Sequence, residues 1–441
     1  MATTYLTRTS GTPTNALKWT YSFWVKISAL STTDDTFLLD FNTDDNNRSN
    51  IGFNGSQQLV VYEKVSGSTS QLFTSNRLFR DNSGWYNIVV SCDRTLATAG
   101  DRTKIYINGV QETSWASQTN PTQNTTGIIN TAVNTLIGKY SQNTYYFNGC
   151  LSHVHFVDGT AYAASTFGST DSTTGEWEIN TSPTVTYGNN GFFILKNDNV
   201  INDQSGNANN FTLGGGTLTK TEDCPSNVFA TLNPLYYAAS QYTLSQGNNS
   251  IVYATDSSRS AFGTIAMTDG LGKFYWEVKI VSDPNNKGAY GICDDLYPDL
   301  NATGAFIDYS GGYGYFANGQ SYNGGTGASF GDAITTGDIV GVALDMDNRK
   351  LYFSKNGTWQ NSGDPTSGAT GTGAAYTVAA GKTYLPAIRV RNGTNGAFNF
   401  GNGYFGTTAI TSAGTNASGV GIFEYDVPAG YAGLSTKGLN L

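Results

Sequence analysis

GDIVGVALDMDNRKLYFSKNG, residues 337–357, holds two apolar runs with a turn between them. Ile339–Leu344 reads as a buried strand, Asp345–Arg349 as the turn, and Leu351–Ser354 as the returning strand, which closes at Asn356-Gly357. Asn-Gly pairs favour tight hairpin turns because both residues tolerate positive φ. Just upstream, GKFYWEVKIV alternates, placing Phe274, Trp276, Val278 and Ile280 opposite Tyr275, Glu277 and Lys279. YLPAIRV and AFNFG follow the hairpin. Thr407–Gly419 reads as a long loop, and VPAGYAGLST as a segment that packs back on the domain. Strand signals dominate, and no stretch carries a convincing 3.6-residue period.

The same alternation fills the first part of the chain. In YSFWVKI, Tyr21, Phe23, Val25 and Ile27 face one way, and Ser22, Trp24 and Lys26 the other. WYNIVVSCD (85–93) reads as a buried strand. KIYING sets Ile105 and Ile107 on one face before turning at Asn108-Gly109, and TLIGKY and FNGCLSHVHFVDG continue the series to Gly159. Residues 166–234 are denser in turn formers, with one strand over Gly191–Lys196. Their Trp177, Phe192, Phe193 and Phe211 call for burial, unlike a floppy linker. The expected architecture is all-β: two antiparallel β-sandwiches, residues 1–165 and 235–441, joined by a partly ordered connector over 166–234. No solenoid period is present.

Composition narrows the function classes. Of 441 residues 13% are aromatic and only 13% charged, about half the ~25% usual in globular proteins. A net charge of −9 without a Lys/Arg cluster argues against nucleic-acid binding. No apolar run nears the ~20 residues of a membrane span. MATTYLTRTSGTPTN has neither a basic n-region nor an apolar h-region, which points to assembly in a cytoplasm. Cys92, Cys150, Cys224 and Cys293 form no CxxC pair and read as free thiols.

Residues 1–165 resemble laminin-G/concanavalin-like domains, through YSFWVKI, GWYNIVVSCD, KIYINGV, TLIGKY and FNGCLSHVHFVDG in the family's order. The resemblance implies a jelly roll whose rim loops bind glycans or proteins, sometimes through calcium. Residues 235–437 resemble SPRY domains, through FYWEVKI, AYGIC, GDIVGVALDMDNRKLYFSKNG, YLPAIRV and FNFG. That resemblance implies a protein-recognition module binding through loops at one end, without catalytic machinery. The phrases STFGSTDSTTGEW, NDQSGNANNFT, CPSNVFATLNPL and PAGYAGLST, taken with both halves, resemble virion proteins of marine tailed phages. This resemblance implies a tail-fibre or host-attachment component, located in the virion. Its partners would be other virion proteins and a host surface glycan or protein, and it would be a homo-oligomer. Capsid decoration or tail scaffolding without a host ligand, and polysaccharide depolymerisation, are the alternatives.

Candidate sites follow from residue chemistry. Trp115, Tyr140, Tyr145 and Tyr146 in the first half, and Tyr297, Tyr309, Tyr313, Tyr322 and Trp359 in the second, fall in or beside expected loops. Rigid, amphipathic rings there suit ligand recognition. Asp34, Asp35, Asp40, Asp44 and Asp45 crowd the loops after the first strand, YSFWVKI, where calcium would find hard oxygen ligands. No other cofactor is implied. His153 and His155 share a strand face that reads as solvated, with no third metal ligand beside them. Asp345, Asp347 and Asn348 imitate a calcium loop, but Lys350 and Asn356 stand where an EF-hand needs Gly and Glu, so a hairpin turn is expected. Catalysis finds little support. The strand motif E-x-D-x-x-E and the G-x-S-x-G elbow are missing, and Glu176 and Glu178 sit in the connector beside Trp177.

Overall fold

The computed structural model describes residues 3–29, 35–142, 145–235, 241–296 and 304–440. The chain divides into two compact units, residues 1–220 and 221–441.

The first unit is a sandwich of two antiparallel sheets. One sheet has eight strands, in the order Trp115–Thr119, Ser68–Leu78, Gln58–Val65, Asn47–Phe53, Thr36–Asp44, Asn134–Ile137, Tyr5–Thr9, Thr212–Gly215. The other has six: Phe192–Ile194, Gly149–Asp158, Lys18–Ile27, Tyr86–Asp93, Thr103–Ile107, Val110–Gln111. Tyr21, Phe23 and Val25 pack against Leu39, Phe41, Ile51 and Val61 between the sheets, as their alternation requires. Burying each such side chain is worth about 1.5–3 kcal/mol. Asn108 and Gly109 adopt φ of 47° and 77° in the expected turn. A side chain at Gly109 would meet the Trp177 ring at 2.3 Å, so this glycine serves both the turn and the close approach.

The second unit is again two sheets. The sheet of Lys273–Ser282, Ile339–Asp345 and Lys350–Lys355 continues on one side into Asn395–Asn399, Ser250–Val252 and Thr243–Ser245. The facing sheet runs Arg259–Phe262, Thr383–Val390, Ala289–Asp294, Gly312–Phe316, Gln320–Asn323, Thr326–Ser329. Trp276, Val278, Tyr290, Ile292, Val342, Leu344 and Ile388 fill the space between them. Asp345 accepts the Asn348 backbone N–H and side-chain amide at 2.9 Å each, which makes the Asp345–Arg349 segment a hairpin turn.

The stretch 166–234 is shared between the units. Phe192–Ile194 is the edge strand beside Gly149–Asp158, and Thr212–Gly215 pairs with Tyr5–Thr9. Further on, Leu232 bridges to Gly263 and Phe229 to Ser435 in the second unit. Residues expected to connect two sandwiches thus complete them.

Both sandwiches bury an outer face as well as an inner one. Ala164, Phe167, Tyr162, Trp177, Val185 and Tyr187 cover the outside of the six-stranded sheet over Val89 and Val157. Phe423, Val427 and Tyr431 do the same over Tyr275, Ala343 and Tyr352, and Ala432–Gly433 adds a parallel strand to Phe274–Tyr275.

The covered face corrects the expected solvation of the histidines. His155 is enclosed: its ring stacks on Phe193 at 3.8 Å, and its Nδ1 lies 2.8 Å from the Tyr187 hydroxyl. His153 sits at a bulge with φ of 46°, and its Nδ1 is 2.8 Å from Ser152 Oγ. Burial, helped by Lys196, lowers His153 to about 4 and His155 well below the usual histidine range, so both rings are neutral at pH 7.

Candidate functional site

The outer face of the eight-stranded sheet carries a groove of about 250 Å³. Three neighbouring strands build it. Register sets Asp40 opposite Asn50 and Asn50 opposite Tyr62, so these three side chains line up across the sheet. Arg48, two residues before Asn50, points the same way. Next along stand Gly52 and Val60, a facing pair. Gly52 is required, since a Cβ there would lie 2.2 Å from the Thr36 carbonyl oxygen. A register shift between Phe37 and Leu39 brings the neighbouring strand this close.

Aromatic rings wall the groove. Tyr140 stacks on Phe37 with centroids 4.5 Å apart. The Arg48 guanidinium lies between the Tyr62 and Tyr140 rings, at 5.8 and 5.6 Å. It also pairs with Asp45 on its outer side. Tyr145, 37% exposed, stands at the mouth with Asp35 and Asn54.

Beneath this wall Asp40 is fully buried. Its Oδ2 accepts the Asn42 amide at 3.1 Å and the Ser141 N–H at 3.3 Å, while Oδ1 has no hydrogen-bond partner. Arg48 Nε is likewise buried and unpartnered. Burial raises the Asp40 carboxyl to about 6, against the lowering pull of Ser141 and Arg48. A buried acceptor and a buried donor, both unmet, on neighbouring strands of one sheet face are unusual in a merely structural role.

The structure scatters the other aromatic candidates. Trp115 opens an edge strand and packs edge-on against Phe73. Tyr146 lies beside Tyr5 under the Lys139 ammonium. Tyr313 is in the second core between Tyr376 and Tyr384, a correction to its expected loop position: it belongs to the strand Gly312–Phe316. Trp359 leans on Tyr275, Tyr322 packs at a tilt on Phe316, and Tyr309 is half-buried. Tyr297 falls outside the described residues.

The acidic cluster is dispersed too. Asp34 is outside the described residues, Asp40 lies in a strand, and Asp35 Oδ1 accepts the Gly55 N–H at 3.3 Å. Asp44 is occupied by its own turn, accepting from Asn46 and Asn47, and Asp45 by Arg48. Among the described residues no three His, Cys, Asp or Glu side chains are grouped to hold a metal. Glu176 and Glu178 are exposed, Glu178 on a short strand paired with Gly168–Thr170.

The two units carry different known domains. Residues 2–165 match the laminin-G type model of the concanavalin A-like lectin/glucanases superfamily, and residues 273–403 match the SPRY domain. Among curated proteins, the chain is 33% identical over 86 residues to the dual specificity protein kinase splA of Dictyostelium discoideum. That alignment covers 19% of this chain and 3% of the kinase. It is 36% identical over 93 residues to human Ran-binding protein 9, covering 20% of this chain and 12% of that protein. The chain therefore spans only a small part of these relatives. Among solved structures, it is similar to the SPRY domain of human HERC1 at 18% identity and a TM-score of 0.29, covering 38% of this chain and 96% of that one. It is also similar to a heptameric SAP-like pentraxin from Limulus polyphemus at 13% identity and a TM-score of 0.30, covering 44% and 89%. The groove belongs to the laminin-G-like unit.

Proposed function

We propose that the protein is a non-catalytic attachment component of a phage virion, binding a host surface glycan through the groove of its laminin-G-like unit. The observation that carries the glycan reading is the alignment of Asn50, Tyr62, Tyr140 and Arg48 over the unmet carboxylate oxygen of Asp40. Sugars are bound by flat aromatic faces beside planar amide and guanidinium groups, because a pyranose ring is apolar on its C–H face and polar at its rim. The match to a lectin-containing superfamily agrees with that chemistry. Virion membership is supported by the resemblance of the chain's connecting and closing phrases to phage proteins. The SPRY unit would make the protein contacts to neighbouring virion components, as the name of Ran-binding protein 9 indicates for that relative. One shallow groove gives weak affinity, and many copies on a particle would raise it through effective concentration.

Two measurements test this. Purified protein, displayed multivalently on beads, is expected to bind members of a bacterial surface-glycan array. Gold-labelled antibody is expected at the tail or fibre tips of virions. Label confined to the capsid shell, or an array blank at every valency, refutes the attachment role.

A further inference from the structure

We propose that the groove holds the terminal ring of an uncharged sugar and turns away sugars bearing a carboxylate. This deepens the glycan reading above and rests on it. Four observations lead here. The groove's 250 Å³ falls below the roughly 300–1,000 Å³ of sites that enclose drug-sized ligands, leaving room for one ring at a chain end rather than an extended segment. Of its aromatic walls, Phe37 and Tyr140 stack on each other, which leaves Tyr62 and Tyr145 with ring surface open to a ligand.

The remaining two observations concern charge. Recognition of a carboxylate calls for a guanidinium free to present its paired N–H groups. Arg48, the one cation among the described lining residues, has Nη1 held by Asp45, Nε buried, and a tyrosine ring on either side. Lys64 stands across from it on the next strand, outside the lining. Against these cations stand Asp35 in the lining, Asp45 on the Arg48 flank, and Asp40 below. An acidic sugar entering here would shed water, meet no cation in the lining beyond the Arg48 already paired with Asp45, and face the Asp35 carboxylate. A hydroxyl group both donates and accepts, so neighbouring sugar hydroxyls can meet the Asn50 amide and the Tyr62 hydroxyl in either sense.

The test uses the full chain in EDTA, with dextran, mannan and chitin oligosaccharides as neutral probes and alginate and sialylated oligosaccharides as acidic ones. Neutral probes are expected to bind at least tenfold more tightly than acidic ones. Tyr62→Ala and the more exposed Tyr145→Ala should each weaken neutral binding at least fivefold without a matching drop in melting temperature. Asp35→Asn should narrow the gap between neutral and acidic probes. Acidic probes binding as well as neutral ones overturn the selectivity. Neutral binding indifferent to both tyrosine variants overturns the groove as the site, while leaving glycan attachment standing. A wild-type chain that binds neither class overturns the glycan reading itself.

Discussion

At the scale of single residues, the buried polar side chains of the first unit give the sharpest expectations. Glu63 and Arg94 are an almost fully buried ion pair at 2.6 Å, and Glu63 also accepts from Ser70 and from the Ile128 N–H. Removing one partner strands a charge in the interior, at a cost of about 3–5 kcal/mol. Arg94→Leu alone should therefore lower stability by that amount in urea unfolding. The double variant Arg94→Leu/Glu63→Leu should fall well short of twice the loss, and strictly additive losses would contradict a coupled pair. His153 makes a pH-dependent counterpart. Its folded pKa, about 4, lies below the ordinary 6.5, so between those values the unfolded chain takes up a proton that the folded chain refuses. The contribution is intact above about pH 6.5 and is lost as pH falls toward 4, on the order of 3 kcal/mol in all. Melting temperatures of wild type relative to His153→Gln should decline over that window and stay level from pH 7 to 8.

At the scale of elements, the covering segments matter as much as the strands. Glu277 lies in the middle of its strand and, fully buried, accepts from Tyr275 OH, Asn399 Nδ2 and the backbone N–H groups of Glu424 and Tyr425. It therefore holds the Phe423–Tyr431 cover on the sheet. Glu277→Ala takes the acceptor from two backbone donors, one amide N–H and the Tyr275 hydroxyl, at about 1–3 kcal/mol each at most. Faster amide exchange at Glu424 and Tyr425 than at Val342 would register the loosened cover. Protection unchanged at those two amides would show that Phe423 and Tyr431 hold it alone. The strand itself was plain from FYWEVKIV, since alternation names the inward residues. Its polar partner was hidden, because Glu277 reads as solvent-facing until residues almost 150 positions away lie over it. His155 is the same case: alternation gave its face correctly, and the Tyr187 segment that covers it leaves no periodic trace. The groove was half legible. Tyr140 and Tyr145 stand out as aromatics near a turn, whereas Arg48, Asn50 and Tyr62 each look like ordinary outward residues of separate strands. Only the register that sets Asn50 beside Tyr62 makes them one surface.

At the scale of the whole molecule, unit boundaries carry the main consequence. A fragment ending at residue 165, where the laminin-G type match stops, lacks Phe192, Ile194 and Phe211, all of which lie in the first core. At about 1.5–3 kcal/mol for each, their loss rivals the 5–15 kcal/mol that holds a typical domain together. Residues 1–220 should therefore melt cooperatively in calorimetry, and residues 1–165 should give no cooperative transition. A sharp melt from the shorter fragment would mean that Phe192–Ile194 and Thr212–Gly215 are ornaments on a sandwich complete without them.

Each sandwich also enters and leaves through one doorway. Thr4 Oγ1 donates to the Thr217 carbonyl at 2.9 Å, and the Thr436 N–H donates to the Val228 carbonyl at the same distance. A module whose first and last strands meet this way can be spliced into the hairpin of a foreign scaffold without stretching either host or guest. The laminin-G-like unit is thus a portable cassette, able to be joined to another protein through a single pair of neighbouring ends.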